Sequence, residues 1–342
     1  MGMFTPAKRK EARLVTEQLT AGFVALQAFW ALANAGVLAA MAEAPIVPAQ
    51  FAQRANMSSQ VLTALVEYLA AQGLLEETAG SYALAAPGRQ LMEHAATLEL
   101  VRGHQGVLFM LEHLLGQLKT YGHGVERRTH IVAKAQGQRR YGEIFPAIER
   151  LVHKARARVA LDVGCDAEDL LLFIAKKQPR LTGLGLSETE SLAHLANEAF
   201  AREKLAQRVR AAACPFADFQ LQPLAALQRA DFPAAVWQRV DCVIACDAFG
   251  EISARPEGIT RFMKKLVEAF PRAAIIVAMP CANDAFLAQT GGPELDLLLR
   301  LTQRTLMPEE QWETVFIRAG LEVSQRVRLH TDGFTVWTLA AK

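Results

Sequence analysis

The sequence predicts an α/β protein in which a doubly wound, mostly parallel sheet forms the C-terminal half and a helical, winged-helix domain forms the N-terminal part. From Ala155 onward, short apolar runs with β-branched residues alternate with segments of helical length, which is typical of parallel sheets. Before that residue, helical patterns dominate and one short hairpin interrupts them. We therefore divide the chain into a helical and winged-helix domain (1–96), linking helices with a polar site segment (97–154) and an α/β domain (155–342).

Composition and charge narrow the range of functions that the protein can have. Of the 342 residues, 51% are hydrophobic and 21% are charged, as in a folded globular protein. The formal net charge of +2 gives no electrostatic reason to expect a nucleic-acid or membrane partner. The N-terminus lacks the apolar core and cleavage site of a signal peptide, so we expect a cytoplasmic protein.

Cysteines and histidines give no metal-binding pattern. None of the five cysteines forms a CxxC pair, and the four histidines within 104–130 lack the i, i+4 spacing of helical metal ligands. Cys242 and Cys246 lie four apart in an apolar run that predicts a strand, so both face the same side. We interpret them as a buried, reduced pair in a reducing compartment.

The N-terminal segment 10–44 has apolar residues at helical spacing, and its second half is apolar nearly all round. The stretch Ala21–Met41 resembles a membrane span in composition, but its alanines and the polar Gln27 and Asn34 favour a buried helix. A helix that is apolar all round must be covered, and we expect a second subunit to cover it. The sequence therefore predicts a homodimer.

A winged helix follows this segment. The residues after Pro48 predict a helix, a turn, a second helix capped by Ser58 and stopped at Gly73, and a hairpin with strands Leu74–Glu77 and Ser81–Leu84. Binding of DNA needs a basic recognition helix, because phosphate contacts supply most of the affinity. The second helix has no lysine or arginine, so we interpret the winged helix as a dimerisation module and expect no nucleic-acid partner.

The α/β domain has a regular order of predicted elements. They are the strand Val159–Val163, the helix Asp169–Lys177, the strand Leu181–Leu186, the helix Ser191–Leu205, the strand Val209–Ala213, a strand within VDCVIACDAF, the helix Thr260–Phe270, a strand in AAIIVAM, a helix near Pro308–Ala319 and a terminal pair of strands. In open α/β sheets, ligands bind at the carboxyl ends of strands where the winding direction switches. The loop Gly164–Asp169, after the first of these strands, is therefore the first candidate for a ligand site.

Three segments of the chain resemble a known family. The stretch ALDVGCDAEDLLLFIAKKQPRLTGLGL (160–186), the stretch YGHGVERRTHIVAKAQG (121–137) and the stretch EEQWETVFIRAGLEV (309–323) are similar to class I S-adenosylmethionine-dependent methyltransferases. Within that superfamily the chain resembles the small-molecule enzymes of secondary metabolism that have an N-terminal winged-helix dimerisation domain, from about residue 20 onward. The resemblance implies a Rossmann-like fold, S-adenosyl-L-methionine as cofactor and a small-molecule substrate.

The residues that match the family's cofactor site depart from its pattern. The loop after the first strand has one glycine, Gly164, and carries Asp166 and Glu168 where the family has glycines. At the end of the second strand, Ser187 replaces the acid that binds both ribose hydroxyls, and the neighbouring Glu188 is a candidate substitute. A serine cannot hold two hydroxyls as a carboxylate does, and the added acids favour a sulfonium or ammonium near the loop.

The remaining strand ends depart in the same way. Pro215 stands where the family has an aspartate near the adenine amine, with Asp218 three residues later, and Gly250 stands where many relatives carry a histidine base. The candidate cofactor-binding residues are therefore Asp162, Gly164, Asp166, Ser187, Glu188, Asp218 and Asp247.

The polar segment with the YGxGVxR pattern supplies the catalytic candidates. In the family that it resembles, the tyrosine and arginine of this pattern, here Tyr121 and Arg127, lie close to cofactor and substrate. Arginine can clamp a carboxylate, and tyrosines can cage a sulfonium, for which Tyr141 is a second candidate. His123 is a candidate general base because histidine titrates near neutrality. We interpret the arginine pair 139–140 as a solvated basic face.

Three functions stay open at this point. The first is methyl transfer from S-adenosylmethionine to a small acceptor. The second, known from azetidine-2-carboxylate synthases of the same fold, is cyclisation of S-adenosylmethionine alone with release of methylthioadenosine. The third is a non-catalytic, methyltransferase-like partner protein, which the altered cofactor motif also predicts.

Overall fold

The computed structural model describes residues 6–103, 105, 140–164, 169–214, 234–249, 256–283, 306–330 and 333–341. The chain forms two compact units, Met1–Ala95 and Ala96–Lys342.

The N-terminal unit begins with two helices where the sequence predicts one. Its helices are α1 (Pro6–Asn34), α2 (Val37–Glu43), α3 (Pro48–Arg54), α4 (Ser59–Ala71) and α5 (Ala86–Glu93). The predicted helical segment breaks at Gly36, whose φ of 74° lies in the left-handed region that favours glycine. Burial in α1 begins at Ala28, while Phe23 is 54% exposed. The expected buried helix is therefore confirmed only for the second part of Ala21–Met41.

No single helix in the described part of the chain is long and apolar enough to cross a membrane. The segments Gln18–Asn34 and Val37–Glu43 reach that length and composition only when they are joined, and they are bent by 77°.

The predicted winged helix is confirmed. Helices α3 and α4 are followed by strands β1 (Leu75–Thr78) and β2 (Ser81–Leu84), which pair antiparallel. The Ser58 hydroxyl accepts a hydrogen bond from the Val61 N–H at 3.4 Å, so it caps α4 as predicted. Ala79 and Gly80 both have positive φ, which gives the two-residue turn that matches the twist of a hairpin.

The C-terminal unit contains the predicted doubly wound sheet. Helix α6 (Ala95–Gly103) crosses the boundary between the units, and the other helices are α7 (Ile144–Lys154), α8 (Asp169–Lys177), α9 (Glu190–Arg202), α10 (Ala234–Trp237), α11 (Pro256–Ala269) and α12 (Glu309–Arg318). The strands are β3 (Val159–Val163), β4 (Thr182–Ser187), β5 (Val209–Ala213), β6 (Cys242–Cys246), β7 (Ala274–Pro280), β8 (Leu321–Arg328) and β9 (Phe334–Ala341). They lie in the order β5-β4-β3-β6-β7-β9-β8, parallel from β5 to β7, with β9 antiparallel to both β7 and β8.

The two faces of this sheet are covered by separate apolar layers. Residues of α7 and α8 pack on one face, and residues of α11 and α12 pack on the other. Cys242 and Cys246 lie together in the α7 layer, buried and reduced, as predicted. Burial raises the pKa of Cys242 and raises that of Cys281 to about 12. These thiols are therefore protonated at neutral pH, and we assign them to the core.

Two side chains fix strands of the sheet by bonding to backbone groups. The Asp241 carboxylate accepts hydrogen bonds from the backbone N–H groups of Arg158 and Val159 at 2.9–3.0 Å, which ties the start of β6 to β3. Asn197 of α9 donates to the Ala211 carbonyl at 2.8 Å and accepts from the Ala211 N–H at 2.9 Å. This pair occupies backbone groups at the edge of β5, which would otherwise be open to another strand.

Candidate ligand-binding site

The candidate site lies where the winding of the sheet changes direction. Strand β3 has β4 on one side and β6 on the other, so the connections from its carboxyl end diverge and leave a crevice. Gly164 directly follows β3 with φ 95°, and its N–H donates to the Leu186 carbonyl at 3.0 Å. A residue with a side chain would be strained at this φ. Glycine adopts it without strain, so the backbone can turn beside the crevice.

Polar groups cluster at the ends of β3 and β4. Asp162 is 3% exposed, Ser187 is fully buried, and the adjacent Glu188 is half-buried. The Ser187 carbonyl accepts a hydrogen bond from the Cys214 N–H at 2.7 Å, which joins the ends of β4 and β5. The structure thus places these predicted residues at one edge of the sheet.

Asp247 follows β6 and is paired with Arg140. The two side chains form an ion pair and are only 11% and 13% exposed, respectively. Asp247 has φ 53°, and its N–H donates to the Ala278 carbonyl at 2.8 Å, so a carboxylate is held in a conformation that most residues avoid. The Arg140 guanidinium also lies 5.6 Å from the centre of the Phe334 ring.

The interpretation of Arg140 as part of a solvated face is therefore wrong. Its charge is compensated by Asp247 and its guanidinium lies over Phe334, so the side chain is withdrawn from water. The signal in the sequence was Asp247 itself, an acid directly after a fully apolar strand, because a carboxylate in such a place needs a cation. Sequence reasoning missed the partner, which lies 107 residues away.

Tyr141 lies next to Arg140 and contacts the helical layer. Its ring meets Phe173 of α8 at 5.2 Å and Phe145 of α7 at 6.1 Å, both edge to face. The residue is 57% exposed, so part of its ring is open to a ligand. Arg140 and Tyr141 therefore connect the end of β6 to the helices that cover β3.

The other predicted site residues, Tyr121, His123, Arg127, Asp166 and Asp218, lie outside the described residues.

The arrangement favours a ligand that carries a cation and hydroxyl groups. Asp162 and Glu188 place carboxylates at this edge, and Asp247 forms an ion pair with Arg140 beside it. A half-buried carboxylate such as that of Glu188 can accept two hydrogen bonds from neighbouring hydroxyls. A positive charge on the ligand, close to these carboxylates, lowers the free energy of the bound state.

Comparisons with solved structures cover the whole chain. The mitomycin 7-O-methyltransferase MmcR is 16% identical, with a TM-score of 0.72 over 99% of this chain and 100% of that one. A putative O-methyltransferase from Nostoc punctiforme PCC 73102 is 16% identical, with a TM-score of 0.66 over 98% and 99%. The O-methyltransferase NcsB1 from neocarzinostatin biosynthesis, solved with S-adenosylmethionine and 2-hydroxy-5-methyl naphthoic acid, is 17% identical, with a TM-score of 0.61 over 93% and 96%.

No protein-family model and no curated protein matches the sequence. At these identities the likeness defines the fold. The strand order, the antiparallel β9, the winged helix and the full-length superposition agree with one another. The chain therefore has the Rossmann-like fold of the class I S-adenosylmethionine-dependent methyltransferases, with an N-terminal winged-helix domain.

Proposed function

We propose that the protein is a cytoplasmic S-adenosylmethionine-dependent enzyme of natural-product biosynthesis that transfers a methyl group to a small-molecule acceptor. The observation that carries this proposal is the full-length match to small-molecule methyltransferases, NcsB1 with its bound S-adenosylmethionine among them. The buried, reduced cysteines support a reducing compartment.

The residues at the carboxyl edge of β3 and β4 fit this cofactor. Gly164 gives the backbone turn beside which the ligand would lie, and Asp162 supplies negative charge near it. Glu188 would hold the ribose hydroxyls, since Ser187 offers one hydroxyl and its carbonyl is bonded to Cys214. When bound, S-adenosylmethionine supplies an electrophilic methyl group, and these residues hold it in place.

The other contribution of the chain is to orient the acceptor. A methyl transfer is an in-line displacement, so its rate depends on how the acceptor is positioned relative to the methyl group. Arg140 and Asp247 form a rigid wall at the end of β6, and the open part of the Tyr141 ring gives an apolar surface beside it. The exposed part of the Tyr141 ring can stack against a flat, aromatic acceptor.

Incubation of the purified protein with S-adenosylmethionine, first alone and then with a panel of phenols, carboxylic acids and amines, tests the proposal. We expect S-adenosylhomocysteine and a methylated product only when an acceptor is present. Methylthioadenosine formed without an acceptor would instead establish cyclisation to azetidine-2-carboxylate, which the replacement of the ribose acid by Ser187 favours. Neither product, together with no measurable binding of S-adenosylmethionine, would leave a non-catalytic partner protein.

A matched pair of substitutions tests the role of Glu188. We expect Glu188→Gln to weaken the binding of S-adenosylmethionine by about tenfold, since hydrogen bonds to a charged group contribute about 1.5–3 kcal/mol each. Glu190→Gln, two residues later in an exposed position at the start of α9, is the control and leaves the affinity unchanged. Equal affinities of the two variants in titration calorimetry would refute this role.

A further inference from the structure

A groove lined by cations lies at the amino-terminal edge of the sheet, at the opposite ends of the strands from the candidate ligand-binding site. Its volume is about 610 Å³, within the range of small-molecule sites. The lining includes lysines and arginines but neither aspartate nor glutamate; the cations are Lys154, Arg156, Arg158, Lys177 and Arg180.

The cations converge from two separate parts of the chain. Lys154 ends α7, and the arginines Arg156 and Arg158 lie in the connection from α7 to β3. Lys177 ends α8, and Arg180 lies in the connection from α8 to β4. Because β3 and β4 pair in parallel from their first residues, these two connections lie side by side. The fold therefore builds the groove from rigid elements.

The two lysines have structural roles. Each lies in the last turn of a helix, where a cation stabilises the negative end of the helix dipole. Lys154 Nζ donates to Gln325 Oε1 at 2.7 Å, and Lys177 Nζ lies 4.6 Å from the centre of the Phe173 ring. The arginines differ: within the described ranges, no ion pair involves the guanidinium of Arg156, Arg158 or Arg180.

Arg156 occupies a backbone position that favours glycine. Its φ is 55°, and the Arg156 N–H donates to the His153 carbonyl at 2.9 Å while the Ala157 N–H donates to the Val152 carbonyl at 3.3 Å. These bonds close the end of α7 in the Schellman pattern, whose left-handed residue is usually glycine. An arginine at this position carries backbone strain and adds a guanidinium to the groove.

The nearby carboxylates leave the groove positive. Asp241 is bonded to the backbone N–H groups of Arg158 and Val159, and Glu149 accepts a hydrogen bond from Gln178 Nε2 at 3.0 Å. In the described part of the chain, five cations line the groove, and two carboxylates, Asp241 and Glu149, hydrogen-bond to residues of the lining. Guanidinium groups bind phosphate oxygens through paired, charge-assisted hydrogen bonds.

We propose that this groove binds the phosphate chain of a small polyphosphorylated ligand. Three arginines from two neighbouring connections match several phosphates better than a single one. A nucleoside triphosphate and free tripolyphosphate share this chemistry. The site is independent of the proposed methyl transfer, since it lies at the other edge of the sheet.

Titration calorimetry of the full chain with tripolyphosphate and with ATP, at a fixed ionic strength of about 0.15 M, tests the proposal. The groove variant is Arg156→Gly/Arg180→Gln, in which glycine relieves the strain at the left-handed position. The control variant, Arg272→Gln/Arg318→Gln, removes the same charge from two exposed arginines outside the groove. An unfolding temperature of both variants that is no lower than that of the unmodified chain verifies that they are folded.

We expect saturable binding to the unmodified chain, weakened at least about tenfold in the groove variant and less than about twofold in the control. Equal affinity for tripolyphosphate and ATP assigns the binding to the phosphate chain alone, whereas tighter binding of ATP adds the nucleoside to the groove. The proposal is overturned if the unmodified chain binds neither probe, or if both variants lose the same affinity.

Discussion

Among single residues, Arg140 and Asp247 have the largest consequence for the ligand edge. Asp247 lies at the end of a buried strand with positive φ, and its carboxylate meets one nearly buried guanidinium. Removing one member of such a pair leaves the other charge without compensation in a poorly solvated place. The pair thus supports the wall of the site, and because its two charges compensate each other it adds no net charge there.

A double-mutant cycle tests this coupling. Arg140→Met keeps an apolar stem near Phe334, and Asp247→Asn keeps a residue that tolerates positive φ. We expect each single change to lower the free energy of unfolding by about 3 kcal/mol and the double change to lose at least about 1 kcal/mol less than the sum. Additive losses in denaturant unfolding would show that the two side chains do not interact.

Glu309 is the second residue whose charge is held by the fold. It is 8% exposed at the start of α12 and accepts hydrogen bonds from Arg328 at 2.9 Å and from Thr335 at 2.7 Å. The hydrogen bonds from Arg328 hold the pKa of Glu309 below its usual range, although burial opposes them. These contacts join α12 to β8 and β9.

This lowered pKa predicts a pH dependence. A carboxyl group with a lowered pKa in the folded state stabilises the protein above its unfolded pKa of about 4.3, and that stabilisation is lost as the pH falls through the folded value. The unfolding free energy of the unmodified chain should therefore fall more steeply below about pH 4.5 than that of Glu309→Gln. Glu310→Gln, at the exposed neighbouring position, should follow the unmodified chain. Parallel curves for all three would contradict the argument.

At the scale of elements, apolar periodicity predicted the sheet well. The strands Val159–Val163 and Val209–Ala213 and the helix Asp169–Lys177 agree with the sequence residue for residue. They do so because a strand covered on both faces is a continuous apolar run with clear polar ends. The break between α1 and α2 was not predicted, because the apolar periodicity continues across Gly36 and gives no sign of a break.

The site was predictable only where topology fixes it. Gly164, Ser187 and Glu188 lie at strand ends, and strand ends meet at one edge in any parallel sheet, so their grouping follows from the order of elements. The Arg140–Asp247 pair joins segments 107 residues apart, and no local pattern encodes such a contact. The full burial of Ser187 likewise depends on tertiary packing, which no local pattern in the sequence encodes.

Close packing of elements in the winged helix gives a third prediction. A Cβ atom at Gly88 of α5 would lie 2.1 Å from the Leu74 carbonyl oxygen, so helix and backbone must separate. We expect Gly88→Ala to destabilise the N-terminal unit by about 3 kcal/mol, as overpacking does. Gly142→Ala, where none of the described residues has an atom within 4 Å of the added carbon, is the control and should change stability by less than about 0.5 kcal/mol. Hydrogen exchange of the α3 to α5 amides measures the effect, and equal protection in both variants would refute it.

At the scale of the whole molecule, helix α1 determines the expected assembly. Val15, Leu19 and Phe23 are 48%, 70% and 54% exposed, and Val24 is 43% exposed. Residues four apart lie on one face of a helix, so the first three form a continuous apolar stripe. A stripe of this kind rarely faces water on a monomeric protein. We therefore propose that a second copy of the chain covers α1, as the sequence predicted.

Size-exclusion chromatography with light scattering decides the assembly. We expect the unmodified chain to be a dimer at micromolar concentration and Leu19→Lys/Phe23→Lys to be a folded monomer, because more than half of each of these residues is exposed in the single chain. Burial of a large apolar side chain contributes about 1.5–3 kcal/mol, so two such changes on each copy of the stripe remove most of the dimer's free energy. Val61→Lys is the control, since Val61 is also exposed, at 56%, but lies on α4. The proposed dimer is wrong if the unmodified chain is monomeric, and its assignment to α1 is wrong if only Val61→Lys dissociates it.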